Sequence, residues 1–191
     1  MAVPAAGRPL QPFAASPAWE PFRLEAAAGW DGARLQLLFR LQGPLQQLRL
    51  PAPTPNPERR DGLWQSSCFE AFVGVVGQAP YWEINLCPSG HWNLYALSAY
   101  RQGLRREPSV LALPYTQRRL PQPGGEQLLE LELDLELPAL AEALAADPQA
   151  ARLEGSTTAV LDHQQHGCSY WAWRHGGPEA DFHRRESFMP L

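Results

Sequence analysis

Hydrophobic and polar residues alternate along much of the chain, and alternation at a period of two marks strands with one buried face. The cleanest run is QLLELELDLEL, with Leu129, Leu131, Leu133, Leu135 and Leu137 on one side and Glu130, Glu132, Asp134 and Glu136 on the other. A helix would scatter those acids around its circumference, so the pattern outweighs the helix preference of Leu and Glu. ARLQLLFRL repeats it, with Leu35, Leu37, Phe39 and Leu41 sharing a face. A further run, LQQLRL, leads into the loop PAPTPNPERRDG, whose prolines cannot join a strand ladder.

Three strands follow in quick succession. SSCFEAFVGVV is apolar on both faces, as a central strand is. YWEINLCP sets Trp82, Ile84 and Leu86 against Tyr81, Glu83 and Asn85, and a Pro-Ser-Gly turn joins it to HWNLYALSAY as a hairpin. PALAEALAADPQ is the one convincing helix, with Pro138 in its first turn and Pro148 ending it. STTAVLDH and CSYWAWRH are the last strands. Many short strands, one short helix and no strand–helix–strand alternation predict an antiparallel sandwich or barrel. Residues 1–20, rich in proline and poor in periodicity, read as an arm or opening strand, and residues 21–191 as one domain.

Composition narrows the function classes. The chain has 191 residues, 45% of them hydrophobic and seven of them tryptophan, which argues against disorder. A formal net charge of −4 gives no reason to expect nucleic acid or an anionic membrane as partner. All 16 basic residues are arginine, a bias that GC-rich coding explains without any special chemistry. Three unpaired-looking cysteines, no secretory leader pattern and no long apolar run make the cytoplasm the expected compartment.

LWQSSCFEAFV resembles the strand opening of family 9 carbohydrate-binding modules, in which Trp is followed six residues later by Glu, here Trp64 and Glu70. YWEINLCPSGHWNLYALSAY resembles the next hairpin of that family. SYWAWRHGGPEADFHRRESFMPL is similar to the tails of stand-alone bacterial DOMON-like proteins. The resemblance covers roughly residues 20–191. It implies an all-β antiparallel β-sandwich, jelly-roll or immunoglobulin-like, with one short helix. It also implies a sugar ring stacked between Trp64 and an aromatic near the C-terminus, with Glu70 bonding its hydroxyls. Phe182 stands about where the family has that second aromatic, Trp171 and Trp173 competing with it, and Phe for Trp weakens the stacking. Ser67 and Cys68 replace the family's acidic step before the Glu, which argues against its calcium sites.

Among the polar residues, Glu70, Glu83, Asn85, Asn93 and Arg174 are candidates to share one sheet face, the bland alternative being its solvated side. Asp162, His163 and His166 offer a weak metal set. Haem-carrying DOMON domains imply a Met–His axial pair, for which Met189 with His175 or His183 is available. His183, Arg184 and Arg185 suit a carboxylate or phosphate, or a solvated edge. Glu70 and Glu83 as an acid–base pair on a glycosidic bond rank last. The expectation is a non-catalytic module for a small saccharide or glycoside, without cofactor. The alternatives are a haem-binding domain and a protein-interaction module.

Overall fold

In the computed structural model, which describes residues 7–146 and 152–191, the leucine–acid run is a strand at the heart of one of two facing sheets. In chain order the strands are β1 (Arg8–Pro9), β2 (Gln11–Pro12), β3 (Arg23–Trp30), β4 (Arg34–Gly43), β5 (Cys68–Val75), β6 (Tyr81–Leu86), β7 (Trp92–Leu97), β8 (Arg105–Arg106), β9 (Tyr115–Pro121), β10 (Gln127–Glu136), β11 (Leu153–His163), β12 (Gly167–Ala172) and β13 (Met189–Pro190). A single α-helix among the described residues, α1 (Pro138–Ala145), follows β10. Pro148, expected to end it, lies outside the described residues. The first sheet runs β1-β3-β4-β10-β9 and the second β2-β12-β11-β5-β6-β7-β8, with β13 paired to β11. Every pairing between these strands is antiparallel, so the expected β-sandwich is the observed one. No helix among the described residues is long and apolar enough to cross a membrane.

Register follows from the same alternation. Leu131 lies opposite Phe39 and Leu133 opposite Leu37, all in the core between the sheets. On the outer side Glu130 accepts from Arg40 Nε at 2.8 Å and Arg118 Nη2 at 2.6 Å, while Arg34 Nε donates to Asp134 at 2.6 Å. A slip of one residue would carry the acids inward and the leucines out, so burial and charge pairing enforce one alignment.

Three segments depart from their pattern. LQQLRL is not a strand: Leu45–Gln47 form a 3-10 turn that buries Leu45 and Leu48, three residues apart and therefore on one side of such a turn. β3 (RLEAAAGW) and β9 (YTQRRLP) carry too little apolar contrast to read as strands, and pairing with β4 and β10 forms them. The N-terminal arm crosses between sheets, with β1 on β3, β2 on β12, and Leu10 buried between the two pairings.

Leu131→Ala should destabilise the protein by about 3 kcal/mol. Glu132→Ala, on the outer side of the same strand, should change stability by less than about 0.5 kcal/mol. Urea unfolding followed by tryptophan fluorescence checks both.

Candidate functional site

All eight residues of β5 are buried. Phe69, Ala71, Val73 and Val75 face the sandwich core, so Cys68, Glu70, Phe72 and Gly74 face the opposite way and need separate cover. The segment after β12 supplies much of it. Phe182 and Phe188 pack on Phe72, and Phe188 also meets Tyr81. Arg185 crosses Gly74, where a Cβ would fall 2.4 Å from its Nη1, and donates to Glu154 Oε1 at 2.5 Å and Val75 O at 2.9 Å. β13 then pins the tail to β11.

The cover is incomplete, and where it stops there is a cavity of about 310 Å³. That is near the lower end of the range for small-ligand pockets, about 300–1,000 Å³. Glu70, Glu83 and Phe72 line it from the sheet, and Trp64, Tyr170 and Phe182 are aromatic walls. Trp64 sits on a 3-10 turn that follows Gly62, whose φ of 73° suits glycine. Its ring meets Tyr95 edge-on at 6.0 Å. Trp64 remains 39% exposed and Tyr170 42%, large apolar faces that the fold leaves open.

Burial sets the electrostatics of the floor. Glu70 is 3% exposed; Thr158 Oγ1 reaches Oε2 at 3.5 Å, while Oε1 has no hydrogen-bond partner among the described residues. Asn85 Nδ2 donates to Glu83 Oε1 at 2.8 Å. Burial pushes the Glu70 carboxyl well above its ordinary range, and the Glu83 charge pushes it further. Burial also raises Glu83, against the hydrogen bond from Asn85 and the charge of Arg101. Two like charges are poorly held on one dry sheet face, so the pair titrates together above the ordinary carboxylate range.

His183 closes one side. Burial, helped by the charge of Arg101, holds its imidazole down to about 4, so it is neutral at pH 7. The Tyr81 hydroxyl accepts from the Arg101 backbone N–H at 3.2 Å and lies 2.8 Å from His183 Nδ1. Donation from that hydroxyl to Nδ1 leaves the proton on Nε2, 3.9 Å from Glu83 Oε2. Arg101 adopts φ 52°, the only positive φ at a non-glycine among the described residues. Asp181 holds it there: Oδ1 accepts from Arg101 Nη2 at 2.9 Å and Oδ2 from the Tyr100 hydroxyl at 2.5 Å.

The expected site residues divide. Trp64, Glu70, Glu83 and Phe182 line the cavity together. Asn85 is fully buried beneath Glu83 and supports it. Asn93, also buried, donates to Asp61 and to the carbonyl of Arg60 and so braces the loop that carries Trp64. Trp171 faces the other way. It pairs with Ala159 on the core side of the sheet, is 3% exposed, and lines a separate cleft of about 330 Å³ beside the N-terminal arm. Arg174 is exposed beyond the end of β12, outside the cavity lining. Arg101, Tyr170, Phe72 and His183 complete the pocket without having been anticipated as part of it. His183 had been singled out for other chemistry, and Tyr170 has the signal of opposite parity to Trp171 on β12.

The other candidates have partners of their own. His163 is buried against Trp19, and no group of three metal-ligating side chains occurs among the described residues. Met189 Sδ accepts from Arg8, and His175 Nε2 lies 2.9 Å from Gln11 O. Arg185 grips Glu154.

No protein-family model matches the chain, and no curated protein matches it. Among solved structures it is similar to a candidate carbohydrate-binding protein from Bacteroides uniformis, at a TM-score of 0.70 and 15% identity over 97% of this chain and 85% of that one. That likeness establishes a shared fold. A family 9 carbohydrate-binding module from Caldicellulosiruptor kristjanssonii, solved with glucose, aligns at a TM-score of 0.41 and 9% identity over 87% of this chain and 72% of that one. The same organism's family 9 module solved with cellotriose aligns at 0.43 and 9% identity, over 88% and 72%.

Two opposed pH effects follow. Glu70 keeps its proton in the fold above pH 4.5, where the unfolded chain releases it, so this group removes stability as pH rises from about 4.5. Glu70→Gln should therefore melt higher than the wild type at pH 7, the difference closing toward pH 4.5. His183 stays neutral in the fold, so the wild type should lose stability as pH falls from 6.5 toward about 4, and His183→Gln should flatten that limb. Thermal melts of the three proteins across pH 4–8 check both.

Proposed function

We propose that the pocket holds a small saccharide or glycoside and does not transform it. One observation carries this reading: Glu70, whose Oε1 is buried without a partner among the described residues, lines one cavity with the aromatic side chains of Trp64, Tyr170 and Phe182. A sugar ring has what such a site lacks, flat C–H faces for the aromatic walls and hydroxyl donors for the unpartnered oxygen. The shared fold with a candidate carbohydrate-binding protein is in keeping with it.

We infer that the carboxyl pair serves binding and not glycoside hydrolysis. Glu70 and Glu83 lie on adjacent strands of one sheet face, Glu70 opposite Asn85 and Glu83 opposite Phe72. Hydrolysis needs the two groups to flank a scissile bond, one as acid and the other as base or nucleophile. Both here belong to one sheet face.

Tryptophan fluorescence titrated with mono- and oligosaccharides tests the reading. A saturable change is expected with at least one sugar, weakened about tenfold or more by Trp64→Ala, in line with loss of a stacked aromatic of about 1.4 kcal/mol or more. Trp171→Phe, altered only on the core side, should keep the response. No response to any sugar from the folded protein overturns the proposal.

A further inference from the structure

We infer that the ligand carries a protonated amine, so that an amino sugar is preferred to its neutral counterpart; this rests on the saccharide reading above. The argument begins with how the chain treats its other acids. Glu130, Asp134, Glu154, Asp162 and Asp181 each meet an arginine at 2.9 Å or less. The buried carboxylate of Glu107 has no ion pair among the described residues and is bonded by Trp82 Nε1, the Ser109 backbone N–H and the Ser109 hydroxyl. Glu70 and Glu83 stand apart. They are buried side by side in the cavity lining, with one long hydrogen bond to the first, one from an amide to the second, and one oxygen of Glu70 unpartnered among the described residues.

The groups that face this pair do not neutralise it. From β5 comes the Cys68 thiol, pushed up by burial and so uncharged. From β6 and β7 come the hydroxyls of Tyr81 and Tyr95, both raised and uncharged, the latter donating to Asp61. The tail contributes neutral His183 and, behind Arg101, the Asp181 carboxylate. Arg101 is the one cation among the described lining residues, and its guanidinium is bound to Asp181. The site is thus a floor of two carboxyls with no cation bound to either, ringed by Trp64, Tyr170 and Phe182. Electron-rich aromatic faces above carboxylates attract an ammonium group twice over, through the ring quadrupoles and through charge-assisted hydrogen bonds.

An incoming ammonium takes the place of the proton on Glu70: its N–H donates to Oε1, and the carboxyl proton leaves to solvent. No bond in the ligand is made or broken. Affinity for the amine then rises with pH as the pair ionises, until the amine itself loses its proton.

Calorimetric titrations at pH 6 with D-glucose, D-glucosamine and N-acetyl-D-glucosamine test this on the full-length protein. Glucosamine is expected to bind about tenfold more tightly than glucose, and the acetylated sugar, which keeps the ring and loses the charge, no better than glucose. Glucosamine binding should release protons, seen as an enthalpy that varies with the ionisation enthalpy of the buffer, and glucose binding should not. In Glu70→Gln the ratio between the two sugars should collapse, with a thermal melt confirming the fold. Should that variant not fold, the buffer dependence of the wild type still decides. Equal affinities for glucose and glucosamine, a preference that survives Glu70→Gln, or a preference without proton release overturns the amine and leaves a neutral-sugar pocket standing. Binding of none of these sugars, nor of any in the wider panel, overturns both readings.

Discussion

A strand buried on both faces must be covered twice, and β5 imposes that condition on the rest of the molecule. One face is met by the opposing sheet, as in any sandwich. The other has no second sheet to meet, and a chain segment must be ordered over it at the expense of its conformational freedom. The anchors of that segment are correspondingly strong. Arg185 reaches a carboxylate and a backbone carbonyl at once, Phe182 and Phe188 lie on Phe72, and β13 adds ladder bonds to β11. The pocket is the part of β5 and β6 that this cover leaves open.

Polar groups on that face tell two stories. Where Glu130 lies on the outer face of the other sheet, two arginines satisfy it and the result is a register lock. Where Glu70 lies under the tail, the chain provides one long contact and tolerates a carboxyl kept neutral by its surroundings. Buried polar groups without partners disfavour folding, and Glu107 and Glu130, the buried acids outside the pocket among the described residues, both have theirs.

Much of this was legible in the sequence because period two is an unambiguous code. The leucine–acid run, the buried β5 and the β6–β7 hairpin follow from it, as does the placing of Glu83 on the same face as Tyr81 and Asn85. Trp64 and Glu70 come together because they lead into and lie on one strand. The code fails where contrast is low, as in the alanines of β3. It also fails where two aromatics are adjacent: Tyr170 and Trp171 are equally plausible walls until the pairing of Trp171 with Ala159 decides which faces inward. Arg101 was invisible because its place depends on a loop conformation and on Asp181, eighty residues away.

The crossing of the N-terminal arm has a consequence for synthesis. Pro12 pairs with Trp171 and Gln11 with Ala172, so one edge of the sandwich joins segments about 160 residues apart in the chain. A nascent polypeptide emerges from the ribosome in order, at about 5–20 residues per second. Its β2 therefore waits for many seconds with its partner still untranslated, and the edge that β12 offers can be closed only among the last events of folding.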